Sequence, residues 1–191
     1  SSDLEIDEKV ARILKTKQRL AEFVPEKPDE KRDAALFREL SKNSIKAGAR
    51  IDRSKKTLFV IADEKSESID GEVMFSGKGA TALKKIVERD FKDAKTLMID
   101  ICPSADTIAD VLLDGLKSEQ VVFIVHAPVK AYAGTSHLYK PMLSLIEGMK
   151  RKTAAVAVWG NPYAADDLPS GTNAFICYDF GDFAESLFEK L

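Results

Sequence analysis

Six side chains stand where a ligand would meet this chain: Asp63, His126, Lys130, Tyr132, Asn161 and Tyr163. Together they supply a carboxylate, an imidazole, an amine, two phenols and an amide, enough to hydrogen-bond a polar ligand or to pass a proton. None sits in a spacing that commits it to one reaction. Ser136 and His137 are adjacent, so their side chains diverge; no Gly-x-Ser-x-Gly elbow precedes them, and Ser136 reads as the N-cap of the helix that follows. The two histidines form no His-x-x-x-His and the two cysteines no Cys-x-x-Cys, so no metal site is expected. Asp63 with Glu64, and Asp166 with Asp167, are consecutive acids that point apart, whereas Asp63 with Asp100 is a pair that only strand packing could create. The one glycine-rich helix start, "SGKGATALKK" (76–85), lacks both the Walker spacing and Gly-x-Gly-x-x-Gly. No catalytic residue and no cofactor is expected.

These positions gain meaning from the elements that must hold them. From Lys56 onward, short apolar runs alternate with amphipathic stretches: "TLFVIA" (57–62), "TLMIDI" (96–101), "VVFIV" (121–125), "AAVAVW" (154–159) and "AFICY" (174–178). Each run is apolar at nearly every position, as in strands covered on both faces. Helical patterns fill 79–88, 105–116, 137–150 and 182–191. Strand and helix in alternation predict right-handed crossovers and a parallel, doubly wound sheet. Residues 3–50 differ: Ile6, Val10, Ile13, Leu14 and Ala21 make one helical stripe, "VPEKPDE" breaks it, and Phe37, Leu40, Ser44 and Ala47 make a second. The expected organisation is a helical extension and linker over 1–50 and an α/β sandwich over 51–191. That sandwich is read as three layers around a mainly parallel five-stranded sheet of flavodoxin-like or Rossmann-like type. Ligands of such sheets sit at the carboxyl ends of strands, near a switch in strand order. Asp63 ends the first strand, His126 the third, with Lys130 and Tyr132 just beyond, and Asn161 and Tyr163 follow the fourth. A response regulator would need its phosphoacceptor aspartate where this third strand ends in His126.

Composition narrows the partners. A net charge of -2 over 191 residues gives no bulk attraction to nucleic acid or to an anionic membrane, and no nucleic acid partner is expected. No apolar run approaches the roughly 20 residues of a membrane span, and "SSDLEIDEKVARIL" has no signal-peptide pattern. Cys102 and Cys177 both end candidate strands in apolar company and read as two buried free thiols.

The stretch "AVAVWGNPYAADDLP" (155–169) runs from a strand into a sharp turn. Pro162 keeps Asn161 out of the helical region, Gly160 permits close backbone approach, and the Asn161 side chain can bond the backbone two residues on. Tyr163 is expected to pack its ring on the sheet end, which makes the turn a structural corner; the alternative is a rim that touches a ligand.

That turn, followed by "AFICYDF", resembles the C-terminal α/β sandwich domain of family 3 glycoside hydrolases, in the β-N-acetylhexosaminidase-type branch. Three further stretches fall in matching order. "VARILKTKQRLAEF" (10–23) looks like the helix that closes the catalytic barrel, "ELSKNSIKAGARIDRSKKTLFVIA" (39–62) like the linker helix and first strand of the second domain, and "APVKAYAGTSHL" (127–138) like the loop after its third strand. The Thr-Leu-Leu-Lys-Asn-like linker pattern is blurred here into "SIKAGARIDR". In this branch the nucleophilic aspartate and the histidine–aspartate acid/base loop lie on the barrel, and no segment here matches either. The resemblance therefore implies a fragment: the barrel's last helix plus a non-catalytic accessory domain that stabilises or orients the barrel. Its partners would be the catalytic barrel of the same polypeptide and, through the whole enzyme, an N-acetylglucosamine-containing glycan, with the parent in the cell envelope, periplasm or medium. The competing reading is an independent flavodoxin-like domain binding a phosphorylated or nucleotide ligand near Asp63, residues 76–81 and Lys130.

Overall fold

The apolar runs become the strands of a single sheet in the computed structural model, which describes residues 2–22, 29–67, 73–75, 78–129, 138–178 and 183–191. Two helices come first, α1 (Ser2–Glu22) and α2 (Glu30–Ser44). Then follow β1 (Thr57–Asp63), a short antiparallel pair β2 (Lys65–Glu67) and β3 (Val73–Phe75), α3 (Lys78–Asp90), β4 (Lys95–Asp100), α4 (Ala105–Leu116) and β5 (Gln120–Ala127). The chain ends with α5 (Lys140–Gly148), β6 (Thr153–Gly160), a 3-10 turn (Pro162–Asp167), β7 (Ala174–Cys177) and α6 (Phe183–Lys190). Among the described residues no helix is long and apolar enough to cross a membrane.

The five-stranded sheet is parallel throughout, in the order β4-β1-β5-β6-β7. Counted among its own members this is 2-1-3-4-5, the flavodoxin-like order, so the strand order switches between β1 and β5. The expected three-layer α/β class is what the chain adopts. Both faces of the sheet are covered, which is why its central strands carry no alternation: β1 is buried at all seven positions. On one face Phe59, Ile61, Val122, Ile124, Ala157 and Trp159 pack with residues of α3 and α6. On the other, Val60, Phe123, Val125 and Val158 pack with residues of α4 and α5.

Differences from the sequence reading have local causes. α5 starts at Lys140 with Tyr139 at its N-cap, because Pro141 fixes φ for the first helical turn; Ser136 and His137 lie outside the described residues. β2 and β3 occupy a stretch read as loop, their three residues apiece being too short for a periodic signal. Cys102 is exposed, two residues past the end of β4, while Cys177 is buried and its thiol is pushed up to about 12 by burial.

Residues 45–51 run alongside the last strand. Lys46 pairs with Ile176 by backbone bonds in both directions at 2.9 Å, the Asn173 amide bridges Ala49 and Ala154, and Ile51 N–H donates to the Leu191 carbonyl. β7 therefore keeps a bonded partner on its outer side. By internal packing the chain forms two units, Ser1–Ala35 and Leu36–Leu191.

Candidate functional site

The strand-order switch brings the carboxyl ends of β1 and β5 side by side, with Ala62 opposite Val125 in register. One residue further on, Asp63 Oδ1 lies 2.7 Å from His126 Nδ1. Asp63 is fully buried, and the His126 side chain keeps 14% of its surface exposed. The same Oδ1 accepts the Glu64 backbone N–H at 2.8 Å, so the carboxylate is the acceptor and Nδ1 the donor. In the neutral ring the lone pair is then on Nε2. Among the described residues Nε2 has no hydrogen-bond partner, and no side-chain polar atom there is both buried and unpartnered, so Nε2 meets solvent.

Trp159 fixes the plane of this imidazole. It is opposite His126 in the β5–β6 register, its ring is stacked at 4.8 Å between centroids with 9° between planes, and it is itself buried. Phe183 of α6 supports Trp159 from 5.9 Å. An imidazole oriented by a buried carboxylate on one nitrogen and open on the other can accept a hydrogen bond or take a proton at that nitrogen. Gly79 serves this arrangement instead of a phosphate cradle: a Cβ there would press on the Phe183 ring at 3.1 Å and lie 3.6 Å from Trp159 Nε1.

Asp100 does not pair with Asp63, although the two face each other in register. Its Oδ1 accepts the Cys102 N–H at 2.7 Å and its Oδ2 the Lys65 N–H at 3.1 Å, so it organises the turns leaving the sheet.

The Asn161 turn forms as the sequence implies. Asn161 is buried and extended (φ -86°, ψ 111°), its Oδ1 accepts the Tyr163 N–H at 3.1 Å, and its own N–H donates to the Ala127 carbonyl at 2.8 Å. Gly160 has φ +100°, and a Cβ on it would lie 2.5 Å from the Ala127 oxygen, so only glycine lets β6 leave this close to β5. Tyr163 corrects the expectation: its ring is 71% exposed and does not pack on the sheet end, because the 3-10 turn begun by Pro162 carries it outward. Asp167 instead closes this corner, accepting the Leu138 N–H at 2.9 Å. Lys130 and Tyr132 lie outside the described residues. Of the six predicted residues, then, Asp63 and His126 are joined directly, and Asn161 and Tyr163 share the neighbouring turn. Trp159 was missed because a tryptophan inside an apolar run reads as core. Among the described residues no group of three or more His, Cys, Asp or Glu side chains could hold a metal ion.

No protein-family model matches this chain, and no curated protein does either. Solved structures do. One is a glycoside hydrolase family 3 β-N-acetylglucosaminidase from Paenibacillus sp. str. FPU-7, similar over 95% of this chain and 36% of that one, at TM-score 0.60 and 21% identity. The chain has the fold of about a third of that enzyme. A β-glucoside phosphorylase, BglX, is similar over 96% of this chain and 35% of its own, at TM-score 0.59 and 18% identity. The chain thus spans about a third of the length of the structures it matches.

Proposed function

We propose that this chain is the non-catalytic C-terminal portion of a family 3 glycoside hydrolase of β-N-acetylglucosaminidase type, and that it stabilises or orients a catalytic barrel on the same polypeptide. The observation that carries this is coverage: 95% of the chain is similar in structure to about a third of a family 3 glycoside hydrolase. The second similar structure repeats that proportion on another enzyme acting on β-glucosides. The order of the sequence stretches quoted above supports the C-terminal placement, and the nucleophilic aspartate would belong to the barrel.

The test is to compare the encoding reading frame and two proteins. The full polypeptide should contain a barrel-length segment ahead of residue 1 and release chromophore from an aryl β-N-acetylglucosaminide, while this chain alone should release none. Turnover by this chain that disappears when one of its own carboxylates is changed to an amide would overturn the non-catalytic reading.

A further inference from the structure

We propose that the amino edge of the sheet carries a binding cleft for a small anion with several phosphoryl groups, held by Arg53, Lys55, Lys56 and Lys92. The cleft lies within the unit Leu36–Leu191, at the opposite end of β1 and β5 from Asp63 and His126, and it stands independently of the function proposed above.

Three turns build this cleft, each delivering the chain to the first residue of a strand. Residues 53–56 lead into β1, residues 91–94 into β4 and Glu119 into β5. The register sets those starts side by side, with Thr57 opposite Gln120 and Leu58 opposite Lys95. The space between the turns is about 450 Å³, within the roughly 300–1,000 Å³ of small-molecule clefts, which suits a molecule and not one bare ion.

The charges around this space differ in how far they are already committed. Of the acids, Asp90 has both oxygens taken by Arg89, at 2.7 and 2.8 Å, and Glu119 Oε2 accepts the Lys56 backbone N–H at 2.7 Å. The cations are freer. Lys56 and Lys92 make no ion pair among the described residues, and Lys55 reaches Asp52 only at 3.9 Å. Arg53 is held without being spent: its guanidinium carbon lies 5.2 Å from the centre of the Phe91 ring and one nitrogen donates to the Phe188 carbonyl, while its other N–H groups have no partner among the described residues. A guanidinium fixed over a ring offers its remaining donors to an oxyanion with little freedom left to lose. The three lysines add point charges of the kind that phosphoryl oxygens take. Asp93 is the lining acid with no bond among the described residues, and it opposes an anion.

Calorimetric titration of this chain in metal-free, low-salt buffer tests the site with inorganic triphosphate, pyrophosphate and phosphate, and with citrate as a carboxylate polyanion. Triphosphate should bind tightest, weaken as salt rises and raise the melting temperature. Lys56→Gln and Lys92→Gln remove exposed ammonium groups; each should weaken triphosphate about tenfold, the loss of one charge-assisted hydrogen bond, and leave the melt of the unliganded chain in place. Lys140→Gln, an exposed position at the start of α5 and outside the cleft, should leave the affinity unchanged. Asp93→Asn should tighten binding. Neither heat nor a melting shift with millimolar triphosphate overturns the proposal. So does an equal loss of affinity in Lys140→Gln, weaker binding by Asp93→Asn, or citrate bound as tightly as triphosphate.

Discussion

A carboxylate with no exposed surface has to be held by hydrogen bonds, and at Asp63 one of these comes from His126. His126→Ala removes that charge-assisted bond and the stack on Trp159, so it should destabilise the chain by about 3 kcal/mol in denaturant melts; a change under about 1 would mean that Asp63 is satisfied without it. The Asn161 turn gives a contrasting pair. Asn161→Ala deletes the bond to the Tyr163 N–H and should cost about 1 kcal/mol, rising to about 3 if the buried Ala127 carbonyl loses its partner as the turn relaxes. Tyr163→Ala should fall within about 0.5 kcal/mol of the parent, as exposed positions do, and a larger loss would restore the packed ring expected from sequence. At this scale the sequence is half informative. Asn-Pro dictates the extended residue and the side-chain cap because both are local chemistry. The direction of Tyr163 depends on how many 3-10 residues follow Pro162, and no local rule sets that. Asp63 and His126 are each recognisable as strand ends, but their bond spans 63 residues and exists only because β1 and β5 are neighbours.

Between elements, exposed charge ties α3 to α6. Arg89 donates to both oxygens of Glu185 at 2.8 and 2.9 Å, and to Asp90 at 2.7 and 2.8 Å. Its hydrogen bonds hold both carboxyls below their ordinary values of 3.8 and 4.5. A carboxyl whose pKa is depressed on folding contributes stability that is complete above its unfolded value and is lost as pH falls through the folded one. Arg89→Met should therefore lower stability at neutral pH and leave the two proteins closer together below about pH 4. High salt should narrow the neutral-pH gap as well, because these groups face solvent. Equal gaps in urea melts at both pH values would show that the guanidinium contributes through its stem and not its charge. Elements are where the sequence is most legible. All five sheet strands appear within two residues of their apolar runs, since burial on both faces forces continuous hydrophobicity. Strand order is a different matter: apolar runs do not say which strand pairs with which, so the alternation allowed a flavodoxin-like or a Rossmann-like sheet and only the fold chose between them.

The whole molecule divides unevenly, into Ser1–Ala35 and Leu36–Leu191, and the smaller unit shows the clearest unfinished surface. Val10, Ile13 and Leu14 recur along α1 at helical spacing and are 47%, 56% and 56% exposed. Three large apolar side chains at that spacing make a stripe suited to burial against another element. The proposed function supplies one, since the similar sequence stretch is the helix that closes the catalytic barrel. If so, α1 contributes to the folding of the barrel and not to that of the sheet. Among the described residues the two cores of the sheet domain are built from Ile45 onward. Deleting residues 1–24 should accordingly leave a single cooperative melting transition with its midpoint shifted by no more than about 4 °C, the change that about 1 kcal/mol produces in a domain of this size. Circular dichroism should show helix lost and sheet signal retained. A deletion that abolished the cooperative transition would place α1 in the folding unit of the sheet, and its apolar stripe would then need an explanation within this chain instead of in a barrel.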